Sequence, residues 1–151
     1  KYVGEIYCRL FSELYRLPTV SLRYFNVYGP RQSLAGAYCP VMGIFLRQKL
    51  AGQPMTIVGD GSQRRDFTHV ADVVKANILA AQSRKVGRGE VINIGCGRNY
   101  SIKELTKMIG GPVVYLPLRI EPRESLADNS LAKKLLGWRP SINPRSWLTS
   151  L

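Results

Sequence analysis

Apolar and polar positions change their period several times along the chain, and each change predicts a new element. The opening stretch repeats apolar side chains every three or four positions, which is the spacing of one helical face. These apolar residues are Val3, Ile6, Tyr7, Leu10, Phe11 and Leu14. Pro18 stops this helix at about Arg16, and the residues over 20–24 then alternate as in a strand.

The middle of the chain alternates between helical and extended patterns. Helical spacing returns over 41–50 and closes at Gly52 and Pro54, and a short strand is predicted over 55–58. A second extended segment is predicted over 66–70. The residues over 71–83 are mostly Ala, Val, Ile and Leu, a composition typical of a helix.

Two strands and one capped helix are predicted in the next part of the chain. The strands cover 91–94 and 113–116. Ser101 and Glu104 have the spacing of a capping box, which indicates the start of a helix that ends at Gly110. The mixed order of helices and strands predicts an α/β fold.

A closing helix is predicted near the end, with Asp128 as its cap and Gly137 at its C-terminus. Trp138 is expected to pack behind this helix. Its predicted inward face consists of Leu131, Leu135 and Leu136.

The first helix has no capping residue before it, because apolar-periodic positions follow directly after Lys1. We therefore expect the chain to begin inside an element and to be a fragment of a larger protein.

Composition excludes some classes of protein. With 45% hydrophobic and 21% charged residues, no apolar run of about 20 residues and no leader, the chain is expected to be soluble, cytoplasmic and without a membrane partner. The formal charge of +12 suggests nucleic acid as a partner, but the basic residues are scattered as singles and pairs. We therefore predict no nucleic-acid partner, and a basic nucleic-acid-binding module stays the alternative from another class.

The three cysteines Cys8, Cys39 and Cys96 are far apart and lack metal-type pairing. We expect them to be small buried residues in a reducing compartment, and we predict no metal site.

One short segment concentrates charge in a turn: residues 59–67 read GDGSQRRDF. The pair Asp60 and Gly61 could form the bend of a β-hairpin. Alternatively, the adjacent basic residues Arg64 and Arg65 could hold an anionic ligand. The segment alone does not decide between the two.

Several longer motifs occur in a fixed order along the chain. They are residues 22–32 (LRYFNVYGPRQ), 57–73 (IVGDGSQRRDFTHVADV), 93–95 (NIG), 125–128 (SLAD) and 136–140 (LGWRP). In this order they resemble the nucleotide-sugar epimerases and dehydratases, which form the NAD-dependent extended short-chain dehydrogenase/reductase family. The likeness covers nearly the whole chain.

The resemblance implies the C-terminal part of a Rossmann-type fold with a smaller substrate-binding domain. Residues 1–30 would end the NAD-binding domain, and 31–151 would be mainly the substrate domain, with 55–95 returning elements to the Rossmann sheet. Lys1 falls where the family's Tyr-x-x-x-Lys pair ends, so the tyrosine and the glycine-rich NAD turn would precede it. This chain alone is therefore not expected to catalyse.

The same resemblance implies residue roles. Lys1 would be catalytic, by lowering the pKa of the tyrosine, and would bind NAD at the nicotinamide ribose; Tyr24 and Phe25 would also bind NAD. Substrate-binding residues would be Asn26, Val41, Gly59, Arg65, Arg119 and Glu121. Among these, Arg65 would pair with the diphosphate through its planar fork.

Other residues near these motifs are given structural roles. Asp66 is expected to hold Arg65, Asp72 to cap the next helix, and His69 to be structural. The chain reads Arg119-Ile120-Glu121-Pro122 where relatives usually have Arg-x-Gly-Glu-Pro. Either Arg119 keeps its phosphate contact in a rebuilt loop, or Arg123 takes it over.

The implied activity is that of a UDP-sugar 4-epimerase, which inverts C4 of UDP-glucose, UDP-galactose or their N-acetyl forms through a 4-keto intermediate. The parent enzyme would be a homodimer. The run over 36–38 (GAY) favours an epimerase over a 4,6-dehydratase or reductase of the same family. A catalytically dead interaction fragment is a further alternative.

Overall fold

The computed structural model describes residues 1–34, 36 and 39–151. Ala37 and Tyr38, which belong to the run that favours an epimerase, lie outside the described residues. The helices are α1 (Tyr2–Tyr15), α2 (Val41–Leu50), α3 (Val70–Gln82), α4 (Ile102–Ile109), α5 (Ser130–Leu136) and α6 (Pro144–Leu148). The strands are β1 (Thr19–Tyr24), β2 (Val27–Tyr28), β3 (Met55–Val58), β4 (Arg64–Asp66), β5 (Thr68–His69), β6 (Arg88–Ile94), β7 (Asn99–Ser101) and β8 (Val113–Leu116).

The strands pair mainly with partners that are distant in sequence. In the described part of the chain, β1 with β6, β2 with β5 and β3 with β8 run parallel, whereas β4 with β7 runs antiparallel. Strands β3 and β4 flank the charged turn but pair with different partners, so the turn does not close a β-hairpin. The hairpin interpretation is therefore wrong.

Two apolar cores hold these pairs together. One packs α2 and α4 against β3 and centres on Met42, Phe45, Ile57 and Leu105. The other packs α3 and α5 against β6 and centres on Ala76, Ile92, Ile94 and Trp138. Trp138 is fully buried as expected, and its indole Nε1 donates to the Asp72 carbonyl at 2.8 Å.

Helix α1 buries none of its residues, although one face is apolar. The exposed apolar side chains are Tyr2, Val3, Ile6, Tyr7, Leu10, Phe11, Leu14 and Tyr15. Polar contacts attach its opposite side to the body: Thr19 Oγ1 donates to the Cys8 carbonyl at 2.7 Å, and Ser12 Oγ donates to the Gly87 carbonyl at 3.0 Å. Across the described residues, the helices are too short or too polar to cross a membrane.

The capping box predicted for α4 is confirmed. Ser101 Oγ accepts from the Glu104 N–H, and Glu104 Oε2 accepts from the Ser101 N–H at 2.7 Å. At α5, Asp128 accepts from the Ser130 N–H at 2.9 Å. The prediction that Leu131 faces inward is wrong, because 38% of its surface is exposed while Leu136 is buried.

The prediction that Asp72 caps α3 is also wrong. His69 occupies the N-cap, where Nδ1 accepts from the Ala71 N–H at 3.2 Å. Asp72 is buried within the first turn and accepts from the Ser141 N–H, the Ser141 hydroxyl and the Ile142 N–H at 3.0, 2.7 and 3.1 Å. Asp72 therefore fixes the segment after α5 to the start of α3, and His69 has the structural role expected of it.

Candidate functional site

A cavity of about 350 Å³ lies between α2, β3 and the irregular segment after β8. Most of the residues expected to bind the substrate line it. Its lining is Asn26, Cys39, Val41, Ile44, Phe45, Thr56, Val58, Gln63, Arg65, Ile102, Leu116, Arg119 and Glu121. The walls therefore mix apolar and polar side chains, and three charged side chains lie among them.

The charged turn is limited to residues 59–63, because β4 begins at Arg64. It is held by its own polar groups and by the start of α4. Asp60 Oδ1 accepts from the N–H and the hydroxyl of Ser62 at 3.0 and 2.7 Å. The carbonyls of Gly61 and Gln63 accept from the first N–H groups of α4, which have no partner inside the helix. These hydrogen bonds fix the backbone of the turn, and β4 starts directly after it.

Gly59 joins β3 to this turn with a φ of 62°, a conformation that glycine adopts at little cost. Its N–H donates to the Leu116 carbonyl at 3.0 Å. A side chain at this position would have its Cβ 2.7 Å from Cδ1 of Leu118. Gly59 therefore keeps the backbone close to the segment that carries Arg119 and Glu121.

Arg65 is on β4 and points into the cavity with only 13% of its side chain exposed. Its NH2 donates to Glu121 Oε2 at 2.7 Å, and its NH1 donates to the Arg64 carbonyl at 2.8 Å. These two contacts fix the plane of the guanidinium group. The remaining N–H groups of the fork can take anionic oxygens.

Arg119 is the second cation on this side of the cavity. Its side chain is 71% exposed, and its Nε is 3.9 Å from Glu121 Oε1. The charged lining therefore consists of two arginines and one glutamate, an excess of one positive charge. The backbone carbonyl of Arg123 accepts from the Arg64 N–H at 2.9 Å, and Arg123 does not line the cavity.

The edge of β3 that faces away from β8 borders the cavity. Two glutamines bind it: Gln48 Oε1 accepts from the Thr56 N–H at 3.1 Å, and Gln63 Nε2 donates to the Val58 carbonyl at 3.0 Å. The Thr56 N–H and the Val58 carbonyl on this edge are therefore already paired with glutamine side chains, which fix Gln48 and Gln63 beside the cavity.

Asn26 has a φ of 30°, which is uncommon for a residue other than glycine. Its Nδ2 donates to the Asp66 carbonyl at 2.8 Å and lies 3.5 Å from the Ser125 hydroxyl. Asn26 thus ties the end of β1 to the end of β4 at the border of the cavity. Strained backbone of this kind is often found at ligand sites.

The prediction that Asp66 holds Arg65 is wrong. Asp66 is fully buried, and its carboxylate accepts from the N–H groups of Cys96, Gly97 and Ala127 at 2.8, 2.9 and 3.1 Å. Burial raises its pKa, and these three N–H groups offset part of that effect. Asp66 therefore joins β4 to the segments after β6 and before α5, and Glu121 has the role expected of Asp66.

The residues expected to bind NAD lie apart from the cavity. Lys1 is exposed at the start of α1. Tyr24 ends β1, is 47% exposed, and donates its hydroxyl to Asn77 Oδ1 at 2.9 Å. The Phe25 N–H donates to the Ile94 carbonyl at 3.1 Å, and its ring lies close to Gly95. Lys1, Tyr24 and Phe25 therefore do not belong to the same lining as Arg65.

Sequence reasoning missed several lining residues. Gln63 lies inside the motif that was singled out, but only Gly59 and Arg65 of that motif were given a ligand role. Phe45 and Ile102 have the apolar character of core residues, so no signal in the sequence distinguishes them from the rest of the core.

Comparison with known proteins identifies the family. The profile of the NAD dependent epimerase/dehydratase family matches residues 1–95. The chain belongs to this family. A curated relative, UDP-glucose 4-epimerase of Mycolicibacterium smegmatis, is 37% identical over 149 residues, which cover 94% of this chain and 47% of the relative.

Solved structures of epimerases share the fold. UDP-glucose 4-epimerase of Thermotoga maritima with UDP-glucose matches at a TM-score of 0.89 and 40% identity, covering 98% of this chain and 49% of that one. UDP-glucuronic acid 4-epimerase of Bacillus cereus, in complex with UDP-glucuronic acid and NAD, matches at 0.84 and 35%, covering 99% and 48%. The chain spans about half the length of the relatives that it matches.

The α/β class and the resemblance to nucleotide-sugar epimerases are therefore confirmed. The family profile covers the helix that starts after Lys1, strand-end Asn26 and the motif that contains Arg65. Arg119 and Glu121 lie outside that profile but inside the stretch aligned with the two epimerase structures, which covers nearly all of this chain.

Proposed function

We propose that this chain is the nucleotide-sugar-binding part of an NAD-dependent UDP-sugar 4-epimerase. The observation that carries the proposal is the position of Arg65, whose largely buried side chain lines the cavity and is oriented by Glu121. The relatives and solved structures named above are UDP-sugar 4-epimerases. In this proposal residues 1–30 end the NAD-binding domain and 31–151 form mainly the substrate domain, with 55–95 contributing to the Rossmann sheet.

Each residue expected to bind the substrate has a task in the proposed binding. Arg65 gives its fork to the diphosphate, Arg119 supplies a second cation, and Glu121 accepts from the ribose hydroxyls while it holds Arg65. Val41 and the apolar wall exclude water from the nucleotide, Gly59 lets the backbone approach the base, and Asn26 faces the phosphates. A rigid diphosphate clamp beside a less restrained sugar lets the sugar rotate without leaving the site.

The residues at the carboxyl end of β1 are the ones that we assign to NAD binding. Parallel strands β1 and β6 end together at Tyr24 and Ile94, and dinucleotides bind at the carboxyl ends of such strands. Tyr24 and Phe25 follow that edge, and Lys1 would bind the nicotinamide ribose. Bound NAD supplies a reversible acceptor for the hydride at C4 of the sugar. Lys1 would lower the pKa of the tyrosine that takes the C4 hydroxyl proton.

Calorimetry with UDP tests the proposal. The intact protein is expected to bind UDP, and Arg65→Ala is expected to weaken binding more than tenfold, since a charge-assisted hydrogen bond contributes about 1.5–3 kcal/mol. Arg84→Ala, an exposed arginine after α3, is the matched control and should leave affinity unchanged. Equal affinity in the Arg65 variant and the wild type would reject the assignment.

The same titration separates the proposal from a basic nucleic-acid-binding module. UDP binding at one site should saturate at one UDP per chain. A module that binds nucleic acid would instead bind DNA or RNA with an affinity that falls steeply with salt.

The exposed apolar face of α1 supports the further proposal that the parent enzyme is a homodimer that covers this helix.

A further inference from the structure

Gln63 is the last residue of the charged turn, and its side chain lines the cavity. Its Nε2 donates to the Val58 carbonyl at 3.0 Å and to Glu121 Oε1 at 3.2 Å. Both partners can only accept, so the amide nitrogen is the atom that faces them. The two hydrogens of one amide thus connect β3 to the carboxylate of Glu121.

The backbone of Gln63 is fixed independently of these contacts. Its carbonyl accepts from the Ile102 N–H at 3.1 Å, at the start of α4. Glu121, by contrast, lies on a segment over 117–122 without helix or strand, most of which is exposed. Side-chain contacts must therefore place Glu121, and Gln63 offers one from a rigid support.

The two oxygens of Glu121 have different partners. Oε1 accepts from Gln63, which leaves Oε2 to accept from Arg65 at 2.7 Å. Without Gln63, the carboxylate could rotate toward Arg119, whose Nε is already 3.9 Å from Oε1. Rotation would release the guanidinium group of Arg65 from one of its two fixed contacts.

We propose that Gln63 is a positioning residue of the nucleotide site, which holds Glu121 so that Glu121 orients Arg65 toward the diphosphate. This inference rests on the proposed function of the same cavity. It assigns to Gln63 an effect on binding through Glu121 and no contact with the reacting atoms.

The test is a double-mutant cycle on the intact protein with UDP as the probe. Gln63→Met removes both donors and keeps the unbranched shape, and it is expected to weaken UDP about tenfold, the scale of one hydrogen bond to a charged group. In the Glu121→Ala background, the same change should alter affinity less than twofold. The KM of the UDP-sugar should rise in proportion to the dissociation constant, while kcat stays within twofold. Gln82→Met, an exposed glutamine at the end of α3, is the control.

The outcomes separate this inference from the proposed function. Failure of the wild type to bind UDP would overturn both. If UDP binds and Arg65→Ala weakens it, but Gln63→Met has no effect or the same effect with and without Glu121, only the positioning role is overturned. Should Gln63→Met not fold, Gln63→Asn keeps the polar group but is too short to reach both acceptors, and it must show the same coupling to Glu121.

Discussion

Arg64 and Arg65 are neighbours in sequence, yet their guanidinium groups lie on opposite sides of β4. Arg64 donates through Nε and NH2 to Asn99 Oδ1 and the Asn99 carbonyl at 2.9 and 3.0 Å, and its NH1 is 3.1 Å from Glu104. Arg65 points to the other side and binds Glu121. This follows from the alternation of side chains along a strand, and it separates a structural arginine from the one that we propose binds the diphosphate.

Substituting Arg64 should therefore change stability and leave UDP binding intact. Arg64→Ala removes three contacts to β7 and α4 and is expected to lower the free energy of unfolding by about 1–2 kcal/mol, since part of the pair is solvent-exposed. Chemical denaturation measures the loss, and calorimetry should give a UDP affinity within twofold of the wild type. A tenfold loss of affinity would contradict the division of roles.

The shortened motif after β8 leaves two arginines as candidates for the second phosphate contact. Arg119 lines the cavity and Arg123 does not. We therefore expect Arg119→Ala to weaken UDP severalfold, less than Arg65→Ala because its side chain is 71% exposed. Arg123→Ala serves as the matched control. The reverse order of effects would mean that Arg123 has taken over the phosphate contact.

The buried carboxylate of Asp66 should be important for stability. Three backbone N–H groups donate to its two carboxylate oxygens. An asparagine side chain would keep only one oxygen, and its NH2 group would face the N–H groups that the other oxygen now accepts from. Asp66→Asn is expected to cost about 2–4 kcal/mol in the free energy of unfolding. Asp60→Asn, in the exposed turn, should cost less than 0.5 kcal/mol, a typical surface value. Comparable losses in the two variants would show that the three donors contribute little.

The capping box of α4 should make stability depend on pH. The Ser101 N–H donates to Glu104 and holds the pKa of Glu104 below its ordinary value of 4.5, and Arg64 adds to this effect. A lowered folded pKa means that the charged form stabilises the fold above pH 4.5, and that this contribution is lost as pH falls through the folded value.

Glu104→Ala tests this dependence. We expect the variant to be about 1 kcal/mol less stable than the wild type at pH 7, the usual scale of a capping interaction. The difference should shrink as the pH falls below the ordinary glutamate pKa of 4.5 and through the lower value of the folded state. Glu13→Ala, on the exposed face of α1, is the control. A difference that is constant over this range would show that the charge of Glu104 does not matter.

Local patterns were sufficient to predict most of the elements. Helical spacing predicted α1 and α2, composition predicted α3, and the capping box fixed the start of α4, because each depends on residues that are close in sequence. Strand pairing could not be obtained this way. The partners β3 and β8, or β4 and β7, are far apart along the chain, and the short strands β2 and β7 have too few residues to show a period.

The site was predicted from motifs and corrected by geometry. Arg65, Glu121, Arg119, Val41 and Asn26 were named from the resemblance, and the structure brings all five to one cavity. Their roles stay predictions. The partners of Asp66 and Asp72 were missed because each carboxylate binds backbone N–H groups of distant segments, which no side-chain pattern reveals.

A crystal structure of the intact protein with UDP tests most directly whether Arg65 binds the diphosphate. We expect the diphosphate to lie in the cavity beside β3, with Arg65 donating two hydrogen bonds of about 2.7–2.9 Å to its oxygens. The Glu121 carboxylate should remain within contact of the same guanidinium group. If UDP is bound elsewhere and Arg65 contacts only protein atoms, this arginine does not bind the nucleotide and the proposal is contradicted.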